Sequence, residues 1–408
     1  MKHKNYYLVL IFLFIIGFAK AQDNTLNISI PDTLASSLSL SNSKKVNVSY
    51  GGKGWELKYG NNNLMQVEWR LQTRYMHQSS NPSFIIPEED SNDKSFNLQR
   101  FRLKVGGYAY KPFIKYYIEY DFPSNNLLNT VVTISKYDFL QLKLGQWKLN
   151  FNNERFISSG KQQLVDRSIS NRFFTLDRQI GIQLLGNIFK GTFASSSYYI
   201  GIFNGNGINT QNNDGEFMLF MRYQLNLWDR KIRTSFCDIE YHEKPKGFIA
   251  FAYMNNESRF TSFSSSGGGQ LPGYLEEANL FYNINQYNVE SMFKYKGFSF
   301  SSETHLKKIH NDKTLENTEL VGGYVMTGYF FNHLVSFIPK PLELTARYSL
   351  VNNRSLFTNS IKEYMLGANW FFSGHRNKLT IDFAYIENQD FIAIDDNYRV
   401  RLQWDFSF

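Results

Sequence analysis

From Leu64 onward, apolar residues recur at every second position. Val67, Trp69, Leu71, Thr73 and Tyr75 alternate with Glu68, Arg70, Gln72 and Arg74. Phe101, Leu103 and Val105 alternate with Arg100, Arg102 and Lys104, and Ile114, Tyr116, Ile118 and Tyr120 with Lys115, Tyr117, Glu119 and Asp121. A helix would scatter these groups around its axis, whereas a strand sets them all on one face. The period continues through Leu140, Leu142 and Leu144 opposite Lys143, and through Ile180, Ile182 and Leu184. It returns in Leu342, Leu344, Ala346 and Tyr348, in Tyr364, Leu366, Ala368, Trp370 and Phe372, and in Ile381, Phe383 and Tyr385. In the last segment Val400, Leu402, Trp404, Phe406 and Phe408 alternate with Arg399, Arg401, Gln403, Asp405 and Ser407, so the chain ends on an aromatic residue inside a strand.

A long series of such strands fits a large soluble all-β protein or a barrel in a membrane. Lipid offers the backbone no hydrogen-bond partner, so a sheet there must pair every edge and close. Strands of about 10 residues, apolar outward and polar inward with aromatic girdles, are that solution. The soluble alternative leaves the terminal strand without a reason, since ordinary chain ends fray. Trp404, Phe406 and Phe408 look like the C-terminal insertion signal of outer-membrane barrels. Tyr75, Trp147 and Trp404, near segment ends, suit the girdle. About sixteen to eighteen candidate strands fit between Leu64 and Phe408. The expected fold is therefore all-β, a transmembrane antiparallel β-barrel of about 16 strands. Barrels of roughly 16–18 strands enclose a water-filled channel, whereas those of about eight are filled by side chains.

Composition agrees. Aromatics make up 17% of the 408 residues, with 37 Phe and 26 Tyr against 9 Pro, as strands favour. Mean hydropathy is −0.38, too polar for a bundle of membrane helices. The N-terminus reads as a secretory signal: Lys2 and Lys4, an apolar run from Leu8 to Phe18, then Ala19-Lys20-Ala21 as a cleavage site. The apolar run is too short to span a bilayer as a helix, which needs about 20 residues. Cleavage after residue 21 would remove Lys2, Lys4 and Lys20 and take the net charge from +8 to +5. That dispersed surplus and the export route argue against nucleic acid. Cys237 is the single cysteine, so no intrachain disulfide forms. Residues 22–63 are Ser/Asn-rich, with Leu34 and Leu38 on one face of a short helix. They read as an N-terminal periplasmic extension or a plug, ahead of a barrel over 64–408.

The alternation stops from about Asn150 to Asp177. This stretch carries Arg155, Arg167, Arg172 and Lys161 beside Glu154, Asp166 and Asp177, and Arg178 follows. A loop of this length can fold into the lumen and narrow it. Guanidinium groups there would attract anions and suit phosphate or carboxylate. The same arginines could instead brace the loop on its own acids, or sit on an exposed loop; Arg178, next to Asp177, reads as structural. On the early strands the polar face carries Arg70, Arg74, Arg100, Arg102, Lys104, Lys115 and Lys143 against Glu68, Glu119 and Asp121. Later strands are mixed in sign. The histidines are scattered and show no metal-binding spacing; His305 and His310 read as solvated residues of a turn.

The stretches FNLQRFRLKVGGYAYKPFIKYYIEYDF (96–122), LQLKLGQWKLNFNNERFISSGKQQLVDRS (140–168), RQIGIQLLG (178–186) and YYIGIFNGNGINTQNND (198–214), with the terminal strand, resemble the phosphate-selective porin O and P family, as a Bacteroidetes-like member. The resemblance implies a sixteen-stranded, usually trimeric barrel whose third loop folds inward. It also implies passage of phosphate through an arginine-lined constriction with a lysine cluster. By position, Lys148, Arg155, Lys161 and Arg167 correspond to the element between strand and inward loop, and Arg100 and Arg102 to the basic start of an early strand. Of the family's lysine cluster the loop holds only Lys161.

Two functions follow as expectations. One is a porin for passive diffusion of small hydrophilic solutes, with a preference for anions such as phosphate. The other is a structural subunit of a larger outer-membrane complex with an occluded barrel. Neither needs a metal, a cofactor or a catalytic group. The expected partners are outer-membrane lipids and lipopolysaccharide, further copies in a homotrimer, the larger complex, and small anionic solutes.

Overall fold

Along most strands the usual burial pattern is inverted: apolar side chains are exposed and charged ones buried. Ile249, Phe251, Val289, Leu366 and Ile381 lie open on the outer wall, while Arg401, Lys294 and Lys378 are fully enclosed. That inversion is what a lipid-facing sheet around a polar interior requires. The computed structural model describes residues 46–52, 54–78, 94–212, 215–228, 235–274, 280–355, 360–389 and 397–408. The expected signal peptide and the expected short helix with Leu34 and Leu38 lie outside the described residues.

Two short strands come first, β1 (Val46–Tyr50) and β2 (Trp55–Tyr59). The wall then runs through β3 (Asn63–Gln78), β4 (Lys94–Tyr108), β5 (Ile114–Asp121), β6 (Asn126–Ile134), β7 (Gln141–Lys148), β8 (Arg178–Ile188), β9 (Ser196–Phe203), β10 (Met218–Leu227) and β11 (Lys246–Ser258). A small hairpin of β12 (Ser262–Ser264) and β13 (Gly267–Gly269) interrupts it. The wall resumes with β14 (Tyr282–Tyr295), β15 (Phe298–Asn311), β16 (Asn317–Tyr329), β17 (Leu342–Asn353), β18 (Ser360–Ser373), β19 (Asn377–Gln389) and β20 (Asn397–Ser407). Each wall strand pairs antiparallel with the next, β11 pairs with β14, and β20 closes on β3. The barrel thus has sixteen strands, and no open edge remains in its wall. Its 16-strand closure settles the expected range of sixteen to eighteen at the lower end.

β1 and β2 form a hairpin ahead of the expected barrel boundary at Leu64. β2 pairs with the start of β3, Trp55 opposite Val67 and Tyr59 opposite Asn63, below the point where β20 stops. The described part of the extension therefore continues the sheet at the end of the barrel that carries the C-terminus. This end also carries the shorter connections, such as 109–113 and 296–297, and outer-membrane barrels keep short turns on the periplasmic side. The long connections, 149–177 and 259–281, leave from the opposite rim.

Strand parity corrects two readings. Trp147 shares the inner face with Lys143, so it is 3% exposed and packs edge-on against Phe203 at 5.2 Å, away from any girdle. His305 lies within β15 rather than in a turn. Its ring is buried and stacks on Phe174 at 5.0 Å, because alternation turns it into the lumen. His310 is on the same strand, 3.0 Å from Asn317. Trp404 is exposed on the outer wall, next to Phe406, which stacks in turn near Phe408.

Candidate functional site: a basic cavity beside the inward loop

The connection between β7 and β8 fills much of the lumen. It begins with a short helix, α1 (Asn153–Phe156), makes one tight turn at Ser159–Lys161, and ends with α2 (Ile169–Phe174). The Ser168 side chain caps α2 by accepting the Asn171 N–H at 3.3 Å. Asp177 then takes the left-handed conformation, φ +46°, that turns the chain back into the wall. A short polar side chain tolerates that conformation better than most.

Wall charges on β14–β20 hold this loop in place. Glu290 accepts the Asn153 N–H at 2.7 Å, and Glu303 accepts the Glu154 N–H at 2.5 Å, both at the N-terminus of α1. Asp382 accepts the Val165 N–H at 2.8 Å. Lys378 donates to the Gln162 carbonyl at 2.6 Å, and Lys307 to that of Phe173 at 3.1 Å. Arg347 spans Glu154 at 3.2 Å and Glu363 at 3.0 Å. Asp166 is gripped from both sides of the barrel seam, by Arg74 at 2.7 Å and Arg401 at 2.5 Å.

Between the other flank of the loop and β3–β8 lies a cavity of about 510 Å³. Nine bases line it: Arg100, Arg102, Lys104, Lys143, Lys148, Arg155, Lys161, Arg167 and Arg178. Only two acids do, Glu68 and Glu119. Both acids are engaged: Glu68 pairs with Lys104, and Glu119 with Arg102 at 2.9 Å. Arg102 also reaches Asp121 at 2.9 Å. Arg155 and Arg178 share Asp177. Four of the other bases contact neutral groups. Arg100 donates to the Gln72 amide. Lys148 donates to the Ile157 carbonyl at 3.3 Å. Arg167 donates to the carbonyls of Glu154 and Ile157 at 2.8 and 2.9 Å. Lys143 lies over the Trp147 ring at 4.6 Å. The cavity thus carries positive charge that no acid on its lining cancels.

Titration within the loop follows from this packing. Burial and the neighbouring Arg155 push the Arg167 guanidinium down to about 9, still charged at neutral pH. Burial opposes the charge of Asp177, but Arg155 and Arg178 overcome it and hold the carboxyl at about 2. Burial raises Glu154 to about 7, with Arg347 pulling the other way and Glu303 adding to the rise.

Of the residues expected at a constriction, the fold brings Lys148, Arg155, Lys161 and Arg167 to the cavity, with Arg100, Arg102 and Lys104 from the wall. Arg172 is half-buried on α2, and neither it nor Lys115, exposed near the periplasmic turns, is part of the lining. Arg70 and Arg74 are buried braces: Arg70 binds Asp405 at 2.5 Å and the Ser159 hydroxyl at 2.8 Å. Arg155 and Arg167 brace the loop and line the cavity at once, so two readings of the sequence meet in the same residues. Sequence reasoning passed over Tyr117, Asn129, Ser158 and Ser159 in the lining. Strand parity could have found Tyr117 and Asn129; Ser158 and Ser159 depend on the loop's path.

The family described as phosphate-selective porin O and P matches residues 272–392. This covers less than half of the chain, and the stretches at 96–122, 140–168, 178–186 and 198–214 lie outside it. No curated protein matches the chain. Among solved structures, the anion-selective porin from Comamonas acidovorans is similar at TM-score 0.54 and 11% identity, covering 84% of this chain and 99% of that one. OmpF of Salmonella typhi in complex with daunomycin is similar at TM-score 0.53 and 11% identity, covering 86% and 100%. In-vitro folded OmpT of Vibrio cholerae, in its trimer form, is similar at TM-score 0.53 and 8% identity, covering 84% and 99%. These likenesses are of fold: a porin-like, outer-membrane type of barrel.

Proposed function

We propose that this chain is an outer-membrane porin for passive diffusion of small hydrophilic solutes, with a preference for anions such as phosphate. The observation that carries the reading is the cavity lining, nine bases against two acids, with Arg100, Lys143, Lys148 and Arg167 bonded to neutral partners. In a confined site walled by protein, such uncancelled charge raises the local concentration of anions and repels cations. Guanidinium forks at Arg155 and Arg167 beside ammonium groups at Lys148 and Lys161 suit phosphate oxygens. The anion selectivity named for the Comamonas porin and the trimer form named for the Vibrio protein support the same reading, including assembly as a homotrimer. Trp404, Phe406 and Phe408 serve as the strand recognised for insertion.

Planar-bilayer recording of the folded chain tests this. The expected result is an open channel whose zero-current potential in a KCl gradient reports chloride over potassium, and which phosphate occupies. Cation selectivity would defeat the anion preference. A second reading, an occluded subunit of a larger envelope complex, draws on the filling of the lumen beside β11–β20; a silent wild-type barrel would favour it.

A further inference from the structure

The cavity occupies one side of the barrel; the inward loop fills the other, and a segment from the periplasmic end packs against that loop and closes the side from below. Residues 235–242, between β10 and β11, turn up into the lumen, where Phe236, Cys237 and Asp238 are each 1% exposed. Phe236 joins an apolar cluster that reaches from wall to wall. It includes Phe248 on β11, Met292 on β14, Met365 on β18, and Ile157 and Leu164 of the inward loop. The Phe236 N–H donates to the Lys161 carbonyl at 3.4 Å, so the two inserted segments meet inside the barrel. Lys294 fastens the segment by donating to the Ser235 hydroxyl at 3.0 Å and the Cys237 carbonyl at 2.9 Å. Asp238 accepts the Gly297 N–H at 2.8 Å. Below it is a vestibule of about 690 Å³, lined by Ile239, Tyr241, Phe330 and Phe371 among others, that faces the periplasmic turns.

The half of the lumen above this seal differs in charge from the basic cavity. The buried side chains of β14–β20 comprise six acids and six Lys or Arg residues. A path through it would have little reason to prefer anions. We propose that residues 235–242 are a selectivity element. They seal the charge-balanced half of the lumen with a dry apolar cluster, and so confine solutes to the basic wall of β3–β8. An apolar constriction of this kind stops ions by excluding their water. The proposal rests on the porin reading, and its test separates the two.

The full-length chain and two variants, Phe236→Asp and Lys294→Met, are reconstituted in planar bilayers, with heat-modifiable gel migration as the check that each barrel is folded. Phe236→Asp places a charge in the dry cluster. It is expected to raise conductance above that of the wild type and to move the zero-current potential toward zero. Lys294→Met removes two fastenings while keeping an apolar stem, and acts in the same direction more weakly. Folded variants with wild-type conductance and potential would overturn the proposal. A silent wild type with a conducting Phe236→Asp would defeat the open-porin reading and uphold the seal, whereas silence of both would overturn the seal. Cys237, the single cysteine, supplies a readout that needs no current. A charged thiosulfonate reagent should leave it unmodified in the wild type and label it in Lys294→Met; wild-type labelling as fast as that of the unfolded chain would also overturn the proposal.

Discussion

On β14–β20 the buried carboxylates of Glu290, Glu303 and Asp382 accept backbone N–H groups of the inward loop, and Lys307 and Lys378 donate to its carbonyls. On β4–β8 and the facing flank of the loop, bases outnumber acids and several meet only neutral acceptors. Both walls carry charge on their inner face, yet one wall's charges are satisfied by the loop and the other's look onto a cavity. Charge on a lumen face therefore says little until its partners are known. A balanced wall is a mounting surface, and an unbalanced one leaves a field for a solute.

The sharpest way to break the contrast is at Asp166, which two arginines from opposite sides of the seam share. Asp166→Ala leaves Arg74 and Arg401 without it; removing one partner of a fully buried ion pair costs about 3–5 kcal/mol, and the Asp166 carboxylate is one-third exposed, which lowers that cost. Arg401 keeps Asp382, which places the expected loss toward the low end, read as a lower urea midpoint for the folded barrel. Next in size is pH. Asp177, held at about 2 against an ordinary 3.8, contributes about 2 kcal/mol that is fully present above pH 4 and lost as pH falls through 2. Glu154, raised to about 7 from 4.5, acts oppositely: its contribution of about 3 kcal/mol is complete below pH 4.5 and lost as pH rises through 7. Protection of the amides of residues 153–156, taken relative to their intrinsic exchange rate at each pH, should therefore fall on both the acid and the alkaline side, and Glu154→Gln should abolish the alkaline fall alone. Lys143→Glu changes the lining to eight bases and three acids and leaves the bonds that anchor the loop intact. Its expected effect is a smaller anion preference at unchanged stability; an unchanged zero-current potential would detach Lys143 from the passage. Smallest of all are Arg172→Gln and Lys115→Gln, outside the lining, for which no shift in that potential is expected.

Period-two alternation made the barrel legible in the sequence because lipid demands one uniformly apolar face. The same rule gave Arg100, Arg102 and Lys104 their inward aspect. The inward loop showed itself by breaking the pattern and by carrying charge. Which of its arginines face a cavity was not legible, since that depends on wall residues more than a hundred positions away, such as Glu290, Glu303 and Asp382. His305 and Trp147 were misread for a related reason: their type suggested water or an interface, and parity decided otherwise. Residues 235–242 gave no signal at all. The stretch SFCDIEYH is neither apolar nor repetitive, and its burial arises from Lys294, from Gly297 and from a meeting with Lys161.

The hairpin of β1 and β2 bears on how the barrel survives before and after it closes. β3 is sixteen residues long, and β20 reaches only as far as Arg70 along it. Without β2, the first turn-proximal residues of β3 would present bare N–H and C=O groups to the periplasm, a template for pairing with a neighbouring chain. β2 covers that ledge from Asn63 to Val67. Among the described residues the outermost strand is then β1, five residues long. A rim of only five residues makes a poor seed for aggregation, so the hairpin acts as a hem on the one seam where a closed sheet could still unravel into its neighbours.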